Sequence, residues 1–141
     1  MPIRLERRFR FSASHLYRRS GWTEEENRRR FGKCANLPGH GHNYRLFVSV
    51  TGEIDPATGF VVDLGALDRI VGSRVVDIVD HQHLNSVLPE FADADGGGAI
   101  PSSENLLRWV VGQLEGHLPE GVTLGRLRLE EDEDLAAEWE P

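Results

Sequence analysis

His40-Gly41-His42-Asn43-Tyr44-Arg45-Leu46-Phe47-Val48-Ser49-Val50 places Tyr44, Leu46, Val48 and Val50 on one parity of an alternating run. Such a period of two predicts a half-buried strand, here from about His42 to Glu53. His40 and His42 share the parity of the apolar residues, so both imidazoles face the buried side, about 6.6 Å apart along the chain. One metal ion can bridge that gap, and imidazoles aimed into an apolar face need partners. The alternative reading is a pair of satisfied core histidines.

Working outward, Ile3 to Phe11 repeats the pattern, with Ile3, Leu5, Phe9 and Phe11 on one side and Arg4, Glu6, Arg8 and Arg10 on the other. His15 continues the odd face and offers a third imidazole. Three histidines without a fourth protein donor would leave an open position, the arrangement of a catalytic rather than a structural zinc. After the second strand, Asp55-Pro56-Ala57-Thr58-Gly59 is a turn signal, and Phe60-Val61-Val62 is expected to return as a short third strand. From Asp63 to Val79 the period changes: Leu64, Leu67, Val71, Val75 and Ile78 mark an amphipathic helix. Gly96 to Gly98 mark a loop, and Pro101-Ser102-Ser103-Glu104 opens a second helix with a serine cap. Strands are expected again near Thr123 to Glu131 and Leu135 to Trp139. Strands, two helices and strands predict an α+β fold, with helices on one face of an antiparallel sheet and one domain over residues 1–141.

The chain of 141 residues carries 16 Lys+Arg against 23 Asp+Glu, a formal charge of -7. That balance argues against a nucleic-acid or anionic-membrane binder. The basic residues Arg18, Arg19, Arg28, Arg29, Arg30 and Lys33 flank Glu24, Glu25 and Glu26, a run expected on the solvated face of a helix, with recruitment of a small polyanion as the other reading. No signal peptide or membrane span is visible, and the single cysteine is compatible with a reducing compartment, so a cytoplasmic location is expected. A domain this small buries a limited core, and a deep pocket can require a wall from a second subunit.

Cys34 lies six residues before His40. A buried inert thiol is the commoner role of a lone cysteine, but proximity to a cation makes a thiol a usable base. Asp80-His81 places a carboxylate and an imidazole at a helix end, either as a cap or as an activating couple. Glu131 shares the face of Leu127 and Leu129, whereas Glu130 shares that of Arg126 and Arg128. A carboxylate closing an apolar face needs a donor, and a heterocycle with adjacent N–H groups would supply two parallel hydrogen bonds. A frayed strand end in solvent is the alternative. His83 and His117 are read as surface or structural residues.

The combined segments Phe11-Ser12-Ala13-Ser14-His15, Glu24-Glu25-Glu26-Asn27, Phe31-Gly32-Lys33-Cys34, Pro38-Gly39-His40-Gly41-His42-Asn43-Tyr44, Gly52-Glu53-Ile54-Asp55-Pro56-Ala57-Thr58-Gly59, Asp80-His81, Pro89-Glu90-Phe91-Ala92-Asp93 and Ser103-Glu104-Asn105 resemble the 6-pyruvoyl-tetrahydropterin synthase family. The resemblance implies the tunnelling fold: a four-stranded antiparallel sheet with two helices on one face, assembling into an oligomeric β-barrel and a homohexamer formed as a dimer of trimers. It implies Zn2+ held by His15, His40 and His42, Cys34 as proton acceptor, Asp80 and His81 as its activating pair, and Glu131 as pterin anchor, with Ser103 and Glu104 as further substrate-binding positions. The implied reaction is a lyase step converting 7,8-dihydroneopterin triphosphate to 6-pyruvoyl-tetrahydropterin with loss of triphosphate. A sister branch makes 6-carboxy-tetrahydropterin for deazaguanine synthesis, and its members usually have a shorter Cys-to-His interval. A zinc or pterin binding module without turnover is the third reading, against which the joint retention of Cys34, Asp80 and His81 argues. The loop from Ala94 to Ile100 is longer than the family's usual one.

Overall fold

The structure, a computed structural model, describes residues 1–92 and 98–141. Of the glycine loop, Gly96 and Gly97 lie outside the described residues, as do Asp93, Ala94 and Asp95. The elements run β1 (Ile3–His15), α1 (Glu24–Phe31), β2 (His40–Gly52), α2 (Leu64–Val71), α3 (Asp77–Val79), β3 (Gln82–His83), α4 (Leu84–Val87), α5 (Ser103–Leu114), β4 (Thr123–Glu130) and β5 (Ala136–Trp139).

Five strands form one sheet in the order β3-β1-β2-β4-β5. The long β1–β2 ladder is antiparallel from Ile3 opposite Gly52 to His15 opposite His40. β4 and β5 extend the antiparallel sheet, while β3 lies parallel to β1 at Ala13 and Ser14. The expected all-antiparallel four-stranded sheet is thus a mixed five-stranded one. Phe60 to Val62 is not a strand. Both edges of β2 are already paired, with β1 and β4, so the segment that follows β2 has no free ladder beside it. It closes instead as a turn, in which Asp55 N–H donates to the Phe60 carbonyl at 2.9 Å.

Tyr44, Leu46, Val48 and Val50 are all buried, as their parity requires, and they join Leu127 and Leu129 of β4 in one core cluster. The helices supply the other half of that cluster through Leu67, Val71, Val75 and Val79, and through Leu106, Leu107, Val110 and Leu114. The first set recurs every four residues, which overshoots an α-helical turn by about 40° per step. A π-helical turn at Gly72–Val76, between α2 and α3, widens the helix and keeps the stripe on the sheet. The buried stripe therefore ends on Val79, and the expected Leu64 is left 38% exposed.

Each long helix has a side-chain cap. Ser102 Oγ accepts the Asn105 N–H at 3.2 Å, Asp63 Oδ1 accepts that of Gly65 at 3.2 Å, and Thr23 Oγ1 accepts that of Glu26 at 3.1 Å. In α1, three glutamates occupy the first turn and three arginines the last, each complementing the helix dipole. Among the described residues, no helix is long and apolar enough to cross a membrane.

Candidate metal and pterin site

The β1–β2 register gathers the three histidines. His15 faces His40 across the ladder and His42 faces Ala13, so odd residues of β1 and even residues of β2 share one face. The three rings form a triangle with every pair of centroids 4.9 Å apart. Gly39 turns the chain into β2 with φ +118°, and a Cβ there would collide with the His15 carbonyl oxygen, so glycine is needed beside the cluster.

His15 Nε2 and His40 Nε2 are 3.3 Å apart. Two nitrogens on a tetrahedral zinc, each at about 2.0–2.1 Å, are separated by about 3.3–3.4 Å, so the observed spacing fits a shared ion. On the far side of the His15 ring, Nδ1 lies 3.1 Å from the Tyr44 hydroxyl, a contact that orients the ring and directs Nε2 into the cluster. His42 Nε2 is buried with no hydrogen-bond partner among the described residues. A buried orphan nitrogen is costly and is satisfied by a cation. Donor atoms of His15, Cys34 and His40 lie within 4.8 Å of one another, as do those of His15, His42 and Glu131. Burial, followed by the neighbouring charges of His42, His40 and His83, lowers the His15 pKa to about 3. The ring is therefore neutral at physiological pH, as a metal ligand must be.

Cys34 sits on a 3-10 turn, Gly32–Ala35, that follows α1. Its Sγ is 3.8 Å from His40 Nε2. Burial, and then the Glu131 charge, push its thiol above the ordinary range. The turn is fastened from two sides: Tyr17 N–H donates to the Cys34 carbonyl at 2.9 Å, and Arg18 donates to the Ala35 carbonyl at 3.1 Å. The basic run around α1 is mostly a paired, solvated surface, with Arg18 on Glu24 and with Arg29 and Arg30 on Glu26.

Glu131, one residue beyond β4, is 6% exposed. Its Oε1 accepts the Ser103 hydroxyl at 3.2 Å and the Tyr17 hydroxyl at 3.4 Å. The carboxylate also lies 3.9 Å from both His15 Nδ1 and His42 Nε2. Glu130 points the other way, to Arg45 at 3.2 Å and Arg128 at 3.1 Å. Glu104 is exposed on the first turn of α5 and makes no hydrogen bond or ion pair among the described residues.

Sequence reasoning missed Tyr17. Its ring packs on His15 at 4.5 Å and on Phe31 at 6.0 Å, while its hydroxyl and backbone reach Glu131 and Cys34. Burial, then the Glu131 charge, raise its pKa. The available signal was parity, since Phe11, Ala13, His15 and Tyr17 continue one odd-numbered face.

Asp80 and His81 form a strap on the edge of β1. Asp80 Oδ1 accepts the Ser12 N–H at 2.9 Å, and His81 N–H donates to the Ser12 carbonyl at 2.6 Å. His81 Nδ1 lies 3.0 Å from Asp80 Oδ1. The Ser12 hydrogen bond, helped by His81, lowers the Asp80 pKa. His81 is held at φ +59°, a conformation that non-glycine residues adopt at a cost and that clusters at functional sites. Its side chain is 82% exposed, and neither Asp80 nor His81 bonds to Cys34 within the described chain. His83 is half-buried against Ser14, with Oγ and Nδ1 2.8 Å apart, whereas His117 is exposed.

The sequence model described as 6-pyruvoyl tetrahydropterin synthase matches residues 4–141. The 6-pyruvoyl tetrahydrobiopterin synthase of Homo sapiens is 41% identical over 118 residues, 84% of this chain and 78% of that protein. The dihydroneopterin monophosphate aldolase of Pyrococcus furiosus is 30% identical over 140 residues, 99% of each chain. Among solved structures, Caenorhabditis elegans 6-pyruvoyl tetrahydropterin synthase superposes with a TM-score of 0.87 at 31% identity, covering 100% of this chain and 96% of that one. With its histidine triangle, thiol and buried carboxylate on one face of the sheet, the chain belongs to the 6-pyruvoyl tetrahydropterin synthase family.

Proposed function

We propose that the chain is a zinc-dependent lyase that converts 7,8-dihydroneopterin triphosphate to 6-pyruvoyl-tetrahydropterin and releases triphosphate. The observation that carries this reading is the triangle of the His15, His40 and His42 rings, with His42 Nε2 orphaned, the Cys34 thiol beside His15 and His40, and the Glu131 carboxylate beside His15 and His42. His15, His40 and His42 would hold the metal. Glu131, fixed through Oε1 by Ser103, accepts the adjacent N–H groups of the pterin and sets the ring's orientation. Cys34, next to the ligand set, takes the proton from the side-chain carbon. Bound zinc supplies Lewis-acid polarisation of the side-chain oxygens, which acidifies that carbon and favours the Cys34 thiolate. Elimination removes a proton from carbon and expels triphosphate with the electron pair of its C–O bond, and the tautomerisations only relocate hydrogens, so no external redox cofactor is required.

The exposed His81 imidazole, held by Asp80 and with no bond to Cys34 among the described residues, supports a site shared between subunits. We infer a homohexamer, a dimer of trimers in which the sheets close into a barrel and Asp80–His81 of one chain activate the thiol of the next. Residues 1–141 act as one domain. The acidic balance opposes nucleic-acid or membrane partners, and the free Cys34 favours a cytoplasmic setting.

Product identification after incubation with 7,8-dihydroneopterin triphosphate is the test. Free triphosphate with a pterin retaining all three side-chain carbons is the expected result. A one-carbon carboxylate side chain would instead indicate the deazaguanine branch, and a cleaved side chain that keeps its hydroxymethyl carbon would indicate aldol chemistry. Recovery of unchanged substrate would leave a binding module.

A further inference from the structure

At the end of the β1–β2 ladder, the outward-facing Ser12, Ser14 and Asn43 line a cleft of about 360 Å³ with His81, Gln82 and His83, and Ala13, Gly41 and His42 complete its wall. We propose that this cleft, which adjoins Arg10, is a subsite for a condensed phosphate chain.

The cleft itself is lined by donors, and the carboxylate beside it is Asp80, which lines the adjoining groove. Ser12 Oγ donates to Asn43 Oδ1 at 2.7 Å, so the amide oxygen is occupied and the Asn43 NH2 group remains free to donate. Ser14 Oγ lies 2.8 Å from His83 Nδ1, which leaves His83 Nε2 on the outer side of the ring without a partner among the described residues. Gln82 is exposed and its amide is likewise unspent. A second groove shares Ser12 and Asn43 with this cleft and adds Arg10, whose guanidinium has no carboxylate partner among the described residues. The nearest acid, Asp80, has Oδ1 already engaged by the Ser12 N–H and His81. In a chain of net charge -7, a pocket lined by hydroxyls, amides and imidazoles beside Arg10 offers an anion several donors against the single carboxylate of Asp80. Arg10 to Ser14 spans about 13 Å of strand, long enough for several linked phosphates.

Identifying the ligand as the substrate's triphosphate rests on the proposed lyase reading. His15, His40 and Glu131 do not line this cleft, so it would take the phosphates of a substrate whose pterin is anchored on the neighbouring subunit. The donor array itself does not depend on that reading.

Calorimetric titration of the full chain with inorganic tripolyphosphate, metal-free and zinc-loaded, tests the subsite. Gln82→Glu, which adds a negative charge, and Arg10→Gln, which removes a positive one, are changes at exposed positions, and each is expected to weaken binding at least fivefold in both forms. Zinc content and affinity for an unphosphorylated pterin should stay within twofold of wild type. The subsite is overturned if wild type does not bind tripolyphosphate, if both variants bind as wild type does, or if only Arg28→Gln or Lys33→Gln removes binding. Loss of pterin binding by wild type, with tripolyphosphate binding intact, would instead overturn the lyase reading and leave the subsite standing.

Discussion

Ser103, the first residue of α5, donates its hydroxyl to Oε1 of Glu131 across 3.2 Å, a buried bond between residues 28 positions apart. It holds the carboxylate on the helix side of the sheet, beside the histidines, while Glu130 answers to Arg45 and Arg128 on the other side. A charge-assisted pair contributes roughly 1.5–3 kcal/mol, so Glu131→Gln is expected to weaken binding of a non-reactive pterin about tenfold or more. Glu130→Gln should change it little. A larger loss from the Glu130 variant would show that the anchor is misassigned.

Tyr17→Phe keeps the ring on His15 and the backbone bond to Cys34 but removes the hydroxyl from Glu131. One neutral donor is worth about 0.5–1.5 kcal/mol, which corresponds to roughly two- to tenfold weaker pterin binding. Zinc content should be unchanged. If pterin titration matches wild type, the hydroxyl does not position the carboxylate.

Metal analysis should find one zinc per chain, and His40→Ala should lose it. Cys34→Ala is expected to keep the zinc and abolish turnover, because a base serves only the chemistry. The 3.8 Å approach of Sγ to His40 Nε2 makes this a sharp comparison. Zinc loss in the Cys34 variant would make the thiol a ligand rather than a base.

The lowered pKa of His15, about 3 against an ordinary 6.5, gives the metal-free chain a defined response to acid. Between those values the unfolded chain binds a proton that the folded chain does not, so folding stability falls as pH drops through this window. From pH 6.5 to 4.5 the loss is about 2–3 kcal/mol. Denaturant titrations along the pH series should show this slope, and His15→Gln should flatten it. An equally steep slope in the variant would assign the response to other groups.

A hexamer is the expected species in light scattering at micromolar concentration. A monomer with full activity would remove the shared site, since neither Asp80 nor His81 bonds to Cys34 among the described residues.

Strand periodicity made much of this site legible in the sequence. Tyr44, Leu46, Val48 and Val50 declared the buried face of β2, and the same parity carried His40 and His42 inward. Leu127 and Leu129 did the same for Glu131. What periodicity could not show was β3, because two residues in a parallel pair have no period to detect. Nor could it reveal that Phe60 to Val62 would find both edges of β2 taken, a property of the sheet rather than of the segment. The π turn was hidden for a related reason: the four-residue recurrence of Leu67, Val71, Val75 and Val79 looks like an ordinary helical stripe until its drift is added up.

One strand serves both faces of the molecule. Odd-numbered side chains of β1 end at His15 in the metal cluster, while its even-numbered Ser12 and Ser14 meet the strap of residues 80–83. A slip of one residue along β2 would exchange the two sets, sending Ser14 into the cluster and His15 out of it. No misregistered form can therefore keep half of its chemistry. A molecule zipped one residue out of register loses the metal cluster and the strap contacts together, so the two faces stand or fall with a single pairing.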